Sequence, residues 1–148
     1  MSQTASNLVI HLIFSTKARR PLITSEIRDD LFAYLGGIVR EIRGAALVVG
    51  GTADHVHMLI RIRPVQAAAE VARVVKTNSS RWLRSKGNVH FAWQNGYGAF
   101  SVSESSVPAM TRYIATQEEH HKKLTFQQEY VAFLKKNKVA YDERYIWE

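Results

Sequence analysis

The sequence has no cysteine and no long hydrophobic run, and it has no repeat, linker or low-complexity tract. Without cysteine there is no disulfide and no thiolate zinc site. Any metal must then be held by histidine, carboxylate or amide oxygen, which indicates Mg²⁺, Mn²⁺ or a histidine-rich zinc site. No apolar stretch approaches the about 20 residues that cross a bilayer, and no charged-then-apolar leader opens the chain. We therefore expect one domain over residues 1–148, no membrane partner and a cytoplasmic location.

Acidic residues are also scarce. The 148-residue chain has 13 Asp and Glu against 20 Lys and Arg, which gives a formal net charge of +7. Such an excess favours an anionic partner, of which nucleic acid is the commonest. A merely basic, soluble surface explains the charge almost as well, so charge alone does not decide.

Hydrophobic periodicity predicts the order β-α-β-β-α-β followed by further helices. Strands are predicted at 8–16, 45–51, 55–62 and within 96–103. Helices are predicted from a cap at Thr24 or Ser25 to Gly44, over about 67–84, from a cap at Ser106 through Gln117, and over about 126–136. The order is typical of an α+β, ferredoxin-like or RRM-like fold, an antiparallel sheet with two helices on one face. That fold hosts many functions, so it does not identify one.

Two histidines, His55 and His57, begin the third predicted strand. Residues i and i+2 of a strand point to the same face, about 6.6 Å apart along its axis. Both imidazoles would project from one side of the sheet, close enough to share a divalent metal. Two polar residues satisfied by backbone or water are an equally good interpretation of the pair alone. The apolar run 58–60 that follows indicates a strand buried on both sides.

Tyr113 and Gln117 are four residues apart on the third predicted helix, so their side chains share a face. A single tyrosine at such a position is more often a core or interface residue than a catalytic one. Its significance comes from the combination with the two histidines, the basic charge and the absence of thiols.

In combination these features resemble the single-tyrosine HUH transposases of small insertion sequences that move as single-stranded DNA, with their REP-associated relatives. The matching segments are 11–14 with the following basic residues, 54–59, 93–102, 113–117 and the tail 141–145. They occur in family order over nearly the whole chain. One departure is Thr52-Ala53 before Asp54, where relatives often carry Met-Pro. It should alter the turn and leave the ligands unchanged.

The resemblance implies that His55, His57 and Gln117 hold one Mg²⁺ or Mn²⁺ ion, which polarises the scissile phosphate. It implies that Tyr113 attacks the phosphorus and forms a 5′-phosphotyrosine link, which conserves the bond energy for rejoining. It further implies DNA hairpins at element ends as partners, a two-fold homodimer, and a nucleoid-associated protein of a prokaryotic cell. Whether Tyr113 serves its own subunit or its partner's stays open.

Candidates for DNA binding come from two basic groups and two aromatic residues. They are Lys17, Arg19 and Arg20 in the first loop, Arg73, Lys76, Arg81 and Arg84 on the second helix, and Trp93 or Tyr97 for stacking an unpaired base. Asp54 could orient a histidine, although capping its turn is the preferred interpretation. His120 and His121 resemble an extra metal site, but a favourable contact with a helix C-terminus is preferred.

Two other functions remain open. One is a non-catalytic protein that binds single-stranded nucleic acid on the same fold, although the strands lack the aromatic pattern that such modules use. The other is a small metal-dependent hydrolase that activates water. A covalent protein–DNA adduct is predicted by the transposase alone.

Overall fold

A four-stranded antiparallel sheet organises the chain, in the strand order β2-β3-β1-β4. The computed structural model describes residues 2–148. The strands are β1 (Leu8–Ser15), β2 (Ala45–Gly51), β3 (His55–Ile62) and β4 (Gly98–Val102). Helices α1 (Ser25–Glu41) and α2 (Ala68–Ser85) connect them as two β-α-β crossovers. The predicted ferredoxin-like α+β arrangement is confirmed.

One face of the sheet packs against α1 and α2. Alternate residues of the two central strands point to it and are fully buried: Leu12, Phe14, Val56, Met58 and Ile60. They meet the apolar stripes of the helices, which include Leu31, Leu35, Val71 and Val75. This is the main hydrophobic core, and it fixes the register of β1 against β3, because a slip of one residue would turn the whole set outward.

The other face is covered by α3 (Val107–Ala115), α4 (Gln117–His120) and α5 (Phe126–Lys136). Helix α3 lies close to β2, where a side chain at Gly50 would collide with the backbone carbonyl of Ile114. A glycine at this position therefore lets the helix approach the sheet. The strand β3 is buried on both faces, as its apolar run predicts.

The structure corrects three local predictions. The third helix ends at Ala115, and Thr116 (φ −112°, ψ 32°) separates it from Gln117, which begins α4. Tyr113 and Gln117 thus do not share one continuous helix. Neither Thr24 nor Ser106 provides a side-chain cap, although each occupies the N-cap position.

Among residues 2–148, no helix is both long enough and apolar enough to span a bilayer.

Candidate metal and nucleophile site

Both histidines of β3 point to the sheet face under α3–α5. His55 and His57 are fully buried, with ring centroids 5.1 Å apart. Strand alternation separates them from Val56 and Met58, which enter the opposite core. The sequence prediction that the two imidazoles share a face is confirmed.

Gln117 and Glu129 bring oxygen atoms to these rings. His55 Nε2 lies 2.9 Å from Gln117 Oε1, and His57 Nε2 lies 2.9 Å from Glu129 Oε1. Gln117 Nε2 donates to Glu129 Oε2 at 3.2 Å, which fixes the amide with its oxygen toward His55. Two imidazoles, an amide and a carboxylate therefore converge in a buried cluster.

Tyr113 reaches the same cluster from α3. Its hydroxyl donates to Glu129 Oε2, and its ring lies edge-on to His57 with the centroids 6.0 Å apart. Phe133 and His120 pack against the ring. The tyrosine thus lies beside the histidines of its own chain.

The Glu129 carboxyl and the Tyr113 phenol of the cluster differ in charge. Burial and then the hydrogen bond to Glu129 raise the pKa of Tyr113 well above the usual value for a phenol. Burial by itself would raise the pKa of Glu129, but the hydrogen bonds from His121 and His57 outweigh it and hold that pKa far below its usual range. The carboxylate is therefore ionised, and the phenol keeps its proton.

Two of the buried histidines on this face, His57 and His11, are neutral at pH 7. Burial lowers the pKa of His57 to about 4, against the opposing attraction of Glu129. Burial, followed by repulsion from His57, lowers the pKa of His11 to about 3. An imidazole without a proton on one nitrogen offers a lone pair there, which is the form that binds metal.

Asp54 fixes which nitrogen of His55 carries the proton. His55 Nδ1 lies 2.8 Å from Asp54 Oδ1, and Thr52 Oγ1 donates to the same oxygen at 3.0 Å. A proton on Nδ1 leaves the lone pair of His55 on Nε2, facing Gln117 Oε1. The preferred sequence interpretation, a turn cap alone, misses this orienting contact.

The donor set fits a small hard cation. With the proton of His55 on Nδ1, its Nε2 and the oxygen of Gln117, which lie 2.9 Å apart, would both offer lone pairs to a shared cation. Neighbouring ligands of an octahedral ion with bonds of about 2.1 Å lie about 3 Å apart. The separations 2.9 Å at Gln117, 2.9 Å from His57 to Glu129 and 3.5 Å from His55 to Glu129 match this spacing.

His121, the C-cap residue of α4, also turns into the cluster, a contact that the preferred interpretation of a helix-end dipole does not include. Its Nε2 lies 3.0 Å from Glu129 Oε1, and burial, which lowers its pKa, is outweighed by this carboxylate. His55, His121 and Glu129 form a group whose ligand atoms all lie within 4.8 Å of one another. His120 instead stacks on Tyr113.

Comparison with known proteins decides the family. The model of the family described as IS200-like transposases matches residues 4–117, more than three quarters of the chain. The chain belongs to the IS200-like transposase family. The match ends at Gln117, so it includes both histidines and Tyr113 and stops before Glu129.

Known relatives of the transposase agree with this assignment. The chain is 28% identical over 122 residues to the ISDra2 transposase TnpA of Deinococcus radiodurans, covering 76% of this chain and 85% of the relative. Its fold is similar to a crystal structure of a candidate transposase from Deinococcus radiodurans R1, with a TM-score of 0.63, 24% identity, and coverage of 77% and 95%. It also resembles a REP-associated tyrosine transposase bound to a REP hairpin, with a TM-score of 0.55, 14% identity, and coverage of 77% and 70%.

Five of the predicted DNA-binding residues line one groove of the transposase. The groove has a volume of about 410 Å³ and is lined by Arg73, Lys76, Arg84, Trp93 and Tyr97. Burial lowers the pKa of Lys76 to about 8, and its ammonium donates to the carbonyls of residues 95 and 96 at 2.9 Å each. Arg81 is exposed but does not line the groove.

The first basic loop connects this groove with the candidate metal and nucleophile site. Thr16 N donates to the carbonyl of Asp54 at 2.8 Å, and Lys17 N donates to that of Ala92 at 2.9 Å. Lys17 and Arg20, whose side chains are exposed, therefore lie on a segment between the groove and the candidate site. Arg19 instead packs over the ring of Trp147, 5.5 Å from its centroid.

Trp93 does not meet the expectation of a base-stacking residue. It is 7% exposed, packs edge-on against Phe14 and Phe91, and donates from Nε1 to Ser79 Oγ at 3.0 Å. Its ring belongs to the core, whereas Tyr97 is 36% exposed. Tyr97 therefore remains the candidate for stacking an unpaired base.

Sequence reasoning missed Glu129 and gave His11 no role. A signal for Glu129 exists, because it lies on the stripe formed by Phe126, Tyr130 and Phe133 on α5. A carboxylate on the apolar stripe of a helix must find a buried partner. His11 shows the same anomaly on β1, between apolar neighbours.

Proposed function

We propose that this transposase cleaves and rejoins single-stranded DNA through attack of Tyr113 on a phosphodiester. The observation that supports it is the meeting of the Tyr113 hydroxyl with His55, His57 and Gln117 in one buried cluster. A non-catalytic binding protein would have no need for a buried ionised carboxylate and neutral imidazoles around a tyrosine, because buried polar groups of this kind are costly.

In the proposed reaction, the Tyr113 oxygen forms a bond to phosphorus and the bond from phosphorus to the 3′ oxygen breaks. The product is a 5′-phosphotyrosine link and a free 3′-hydroxyl, which takes a proton from solvent. The phenol proton leaves to solvent by way of Glu129 Oε2, which already accepts its hydrogen bond. The link keeps the phosphodiester energy, so a new 3′-hydroxyl can reverse the step without ATP.

The ion that we propose for His55, His57 and Gln117 is Mg²⁺ or Mn²⁺, with Glu129 as a further oxygen donor. When bound, it would polarise the scissile phosphate, steady the leaving oxygen and favour ionisation of the phenol. His121 contacts the same Glu129 oxygen, Oε1, that lies against His57. Asp54 keeps the lone pair of His55 directed into the cluster.

The proposed DNA path joins the basic groove to the cluster. A hairpin would bind with its backbone along Arg73, Lys76 and Arg84, and an unpaired base would stack on Tyr97. Lys17 and Arg20 would then guide the single strand from the hairpin toward Tyr113. Binding to element ends of this kind would make the protein nucleoid-associated.

The groove is tested by hairpin binding at several salt concentrations. Replacing Lys76 or Arg84 by Gln should weaken binding and reduce the salt slope by about 1 for each phosphate that is no longer neutralised. Arg63→Gln is the matched control, because Arg63 is exposed beyond the opposite end of β3. Equal slopes for all three variants and the wild type would remove the groove from the DNA path.

The nucleophile is tested by incubating the protein with a single-stranded DNA library and Mg²⁺ or Mn²⁺, followed by sequencing of SDS-resistant adducts. The wild type should form an adduct at the 5′ side of the break, and Tyr113→Phe should form none while it still binds DNA. Tyr141→Phe is the matched control and should react like the wild type. An adduct on the Tyr113→Phe protein would show that another tyrosine is the nucleophile.

We further propose a homodimer, because two element ends must be held together for strand exchange and β2 and β4 leave open sheet edges. The single chain already joins Tyr113 to its own histidines through Glu129. In a mixed dimer of Tyr113→Phe and His57→Ala subunits, activity should therefore not recover. Recovery would assign the tyrosine to the partner's site, and sedimentation as a monomer at micromolar concentration would refute the dimer.

A further inference from the structure

His11 lies behind the metal site and contacts one of its histidines. It is on β1, 1% exposed, with its ring stacked on that of His57 at a centroid distance of 5.0 Å. His11 Nε2 and His57 Nδ1 are 2.7 Å apart. Phe133 of α5 packs edge-on against His11, also at 5.0 Å. The His11 ring is therefore packed between His57 and Phe133, which fixes its contact with His57.

The two neutral rings share one proton along this contact. Two lone pairs or two N–H groups at this distance would repel, so one nitrogen donates and the other accepts. His57 Nε2 lies 2.9 Å from the ionised Glu129, which can only accept. His57 thus carries its proton on Nε2 and accepts at Nδ1 from His11 Nε2. The remaining atom, His11 Nδ1, is left as a lone pair, and it makes no hydrogen bond among the described residues.

A cation at His57 requires the opposite arrangement. The lone pair must then be on Nε2, and the proton on Nδ1 needs an acceptor on the far side of the ring. The only atom that the structure holds at that position, within residues 2–148, is His11 Nε2. To accept there, His11 must carry its own proton on Nδ1.

We infer that His11 is a positioning residue for His57, and that the two rings change tautomer together when His57 ligates a metal. The inference rests on the proposed metal function of His57. The proton between the rings moves from His11 Nε2 to His57 Nδ1. One proton leaves His57 Nε2 by way of Glu129 to solvent, and one enters at His11 Nδ1, so the pair keeps two protons. His11 borders a pocket of about 210 Å³ that also includes Ser103 and Ser106, which gives this second proton a short path.

The test uses imidazole ¹⁵N spectra, because they report the tautomer directly. In the metal-free protein, His57 should show a protonated Nε2 and a bare Nδ1. Mg²⁺ is diamagnetic and can be titrated into the sample. As it binds, the spectra of His57 and His11 should change together, from a protonated Nε2 to a protonated Nδ1 in each ring. A His57 tautomer that does not change while Mg²⁺ binds would overturn the inference.

Substitutions at His11 provide a second measurement, Mn²⁺ affinity by calorimetry. His11→Phe keeps a ring between Phe100 and Phe133 but removes the acceptor, and it should lower the affinity by about 10–100-fold. His11→Gln offers an amide oxygen near the position of Nε2 and should recover part of that affinity. Ile13→Val is the matched control, since Ile13 is buried on the same strand face opposite His57.

The outcomes separate this inference from the proposed function. Mn²⁺ affinity equal to the wild type in His11→Phe, with His57→Ala impaired, would refute the role of His11 and leave the metal site intact. A wild-type protein that binds neither ion, with no change in the His57 spectrum, would refute both.

Discussion

The two faces of the central strands differ in what their side chains do. On the face under α1 and α2, Leu12, Met58 and their neighbours form an apolar core. On the opposite face, one residue along each strand, His11 and His57 are equally buried but polar. The backbone hydrogen bonds of β1 and β3 serve both faces, so the chemistry of the transposase is built on the scaffold that its own core holds in place.

The difference shows where stability and function are separated. Apolar burial contributes about 25 cal/mol per Å² of surface removed from water and needs no particular partner. Buried imidazoles and a buried carboxylate stabilise only when each finds a partner at hydrogen-bond distance. The polar face therefore depends on particular neighbours, and substitutions on the two faces should separate activity from stability.

The largest effect is expected on the polar face. His55→Ala or His57→Ala should reduce cleavage below detection, because a weakly held hard cation would lose a ligand. Mn²⁺ affinity should fall by more than about 10–100-fold, which is the loss expected when only the hydrogen-bond partner of a metal ligand is removed. His90→Ala, at an exposed histidine, is the control for calorimetry and cleavage. Unchanged Mn²⁺ binding in both variants would remove the pair from the site.

Met58→Ala tests the apolar face one residue away. Met58 is fully buried and pairs with Leu12 across the strands, so its truncation should lower the free energy of unfolding by about 2–5 kcal/mol. The folded protein should keep wild-type Mn²⁺ affinity. Val65→Ala, at a residue 77% exposed, should stay within about 0.5 kcal/mol of the wild type in urea titrations. A decrease in metal affinity without a decrease in stability would contradict the separation of the faces.

Glu129→Gln sharpens the comparison by removing charge and keeping shape. Without the carboxylate charge, Mn²⁺ affinity should fall by about tenfold, a factor that corresponds to about 1.4 kcal/mol. The pKa of Tyr113, which Glu129 raises in addition to burial, should fall toward its usual value. Difference spectra of tyrosine ionisation, with Tyr113→Phe as the blank and Glu119→Gln as the control, measure this. If neither the Mn²⁺ affinity nor the pKa of Tyr113 changed, the central role of Glu129 would be refuted.

A smaller, graded effect is expected from pH in metal-free buffer. The pKa values of His11 and His57 in the folded protein, about 3 and about 4, lie below the ordinary histidine value of 6.5. Between these values the unfolded chain binds more protons, so stability falls as the pH drops below 6.5. Each histidine contributes at most about 1.4 kcal/mol per pH unit.

The lowered pKa of Glu129 has the same sign, and its contribution disappears at still lower pH. His121, whose pKa is raised, loses its contribution only as the pH rises above 6.5. Urea titrations at about pH 7, 6 and 5 measure the slope, and His11→Phe should reduce it. A stability independent of pH over that range would mean that the folded and unfolded chains bind the same number of protons, so that the pKa values of the two buried rings are not lowered.

Strand alternation and helical spacing are enough to predict the sheet and its flanking helices, whereas the roles proposed for Tyr113, His55, His57 and Gln117 come from the resemblance to the family. His55 and His57 share a face because a strand repeats every two residues, whatever surrounds it. Gln117 lies against His55, but not by way of the predicted continuous helix, because the chain breaks at Thr116 and a separate helix directs the amide to His55. The prediction for Trp93 fails because exposure depends on neighbours, here Phe14 and Phe91.

Local periodicity and motifs within short segments are sufficient to establish the family, the order of elements and the face on which the histidines lie. The positions of Glu129, His121 and His11 around the site follow from tertiary packing alone. Those contacts include pairs that are 46 and 72 positions apart along the chain. They depend on how α5 crosses the sheet and how β1 pairs with β3, a geometry that packing of the whole chain sets and no short pattern encodes.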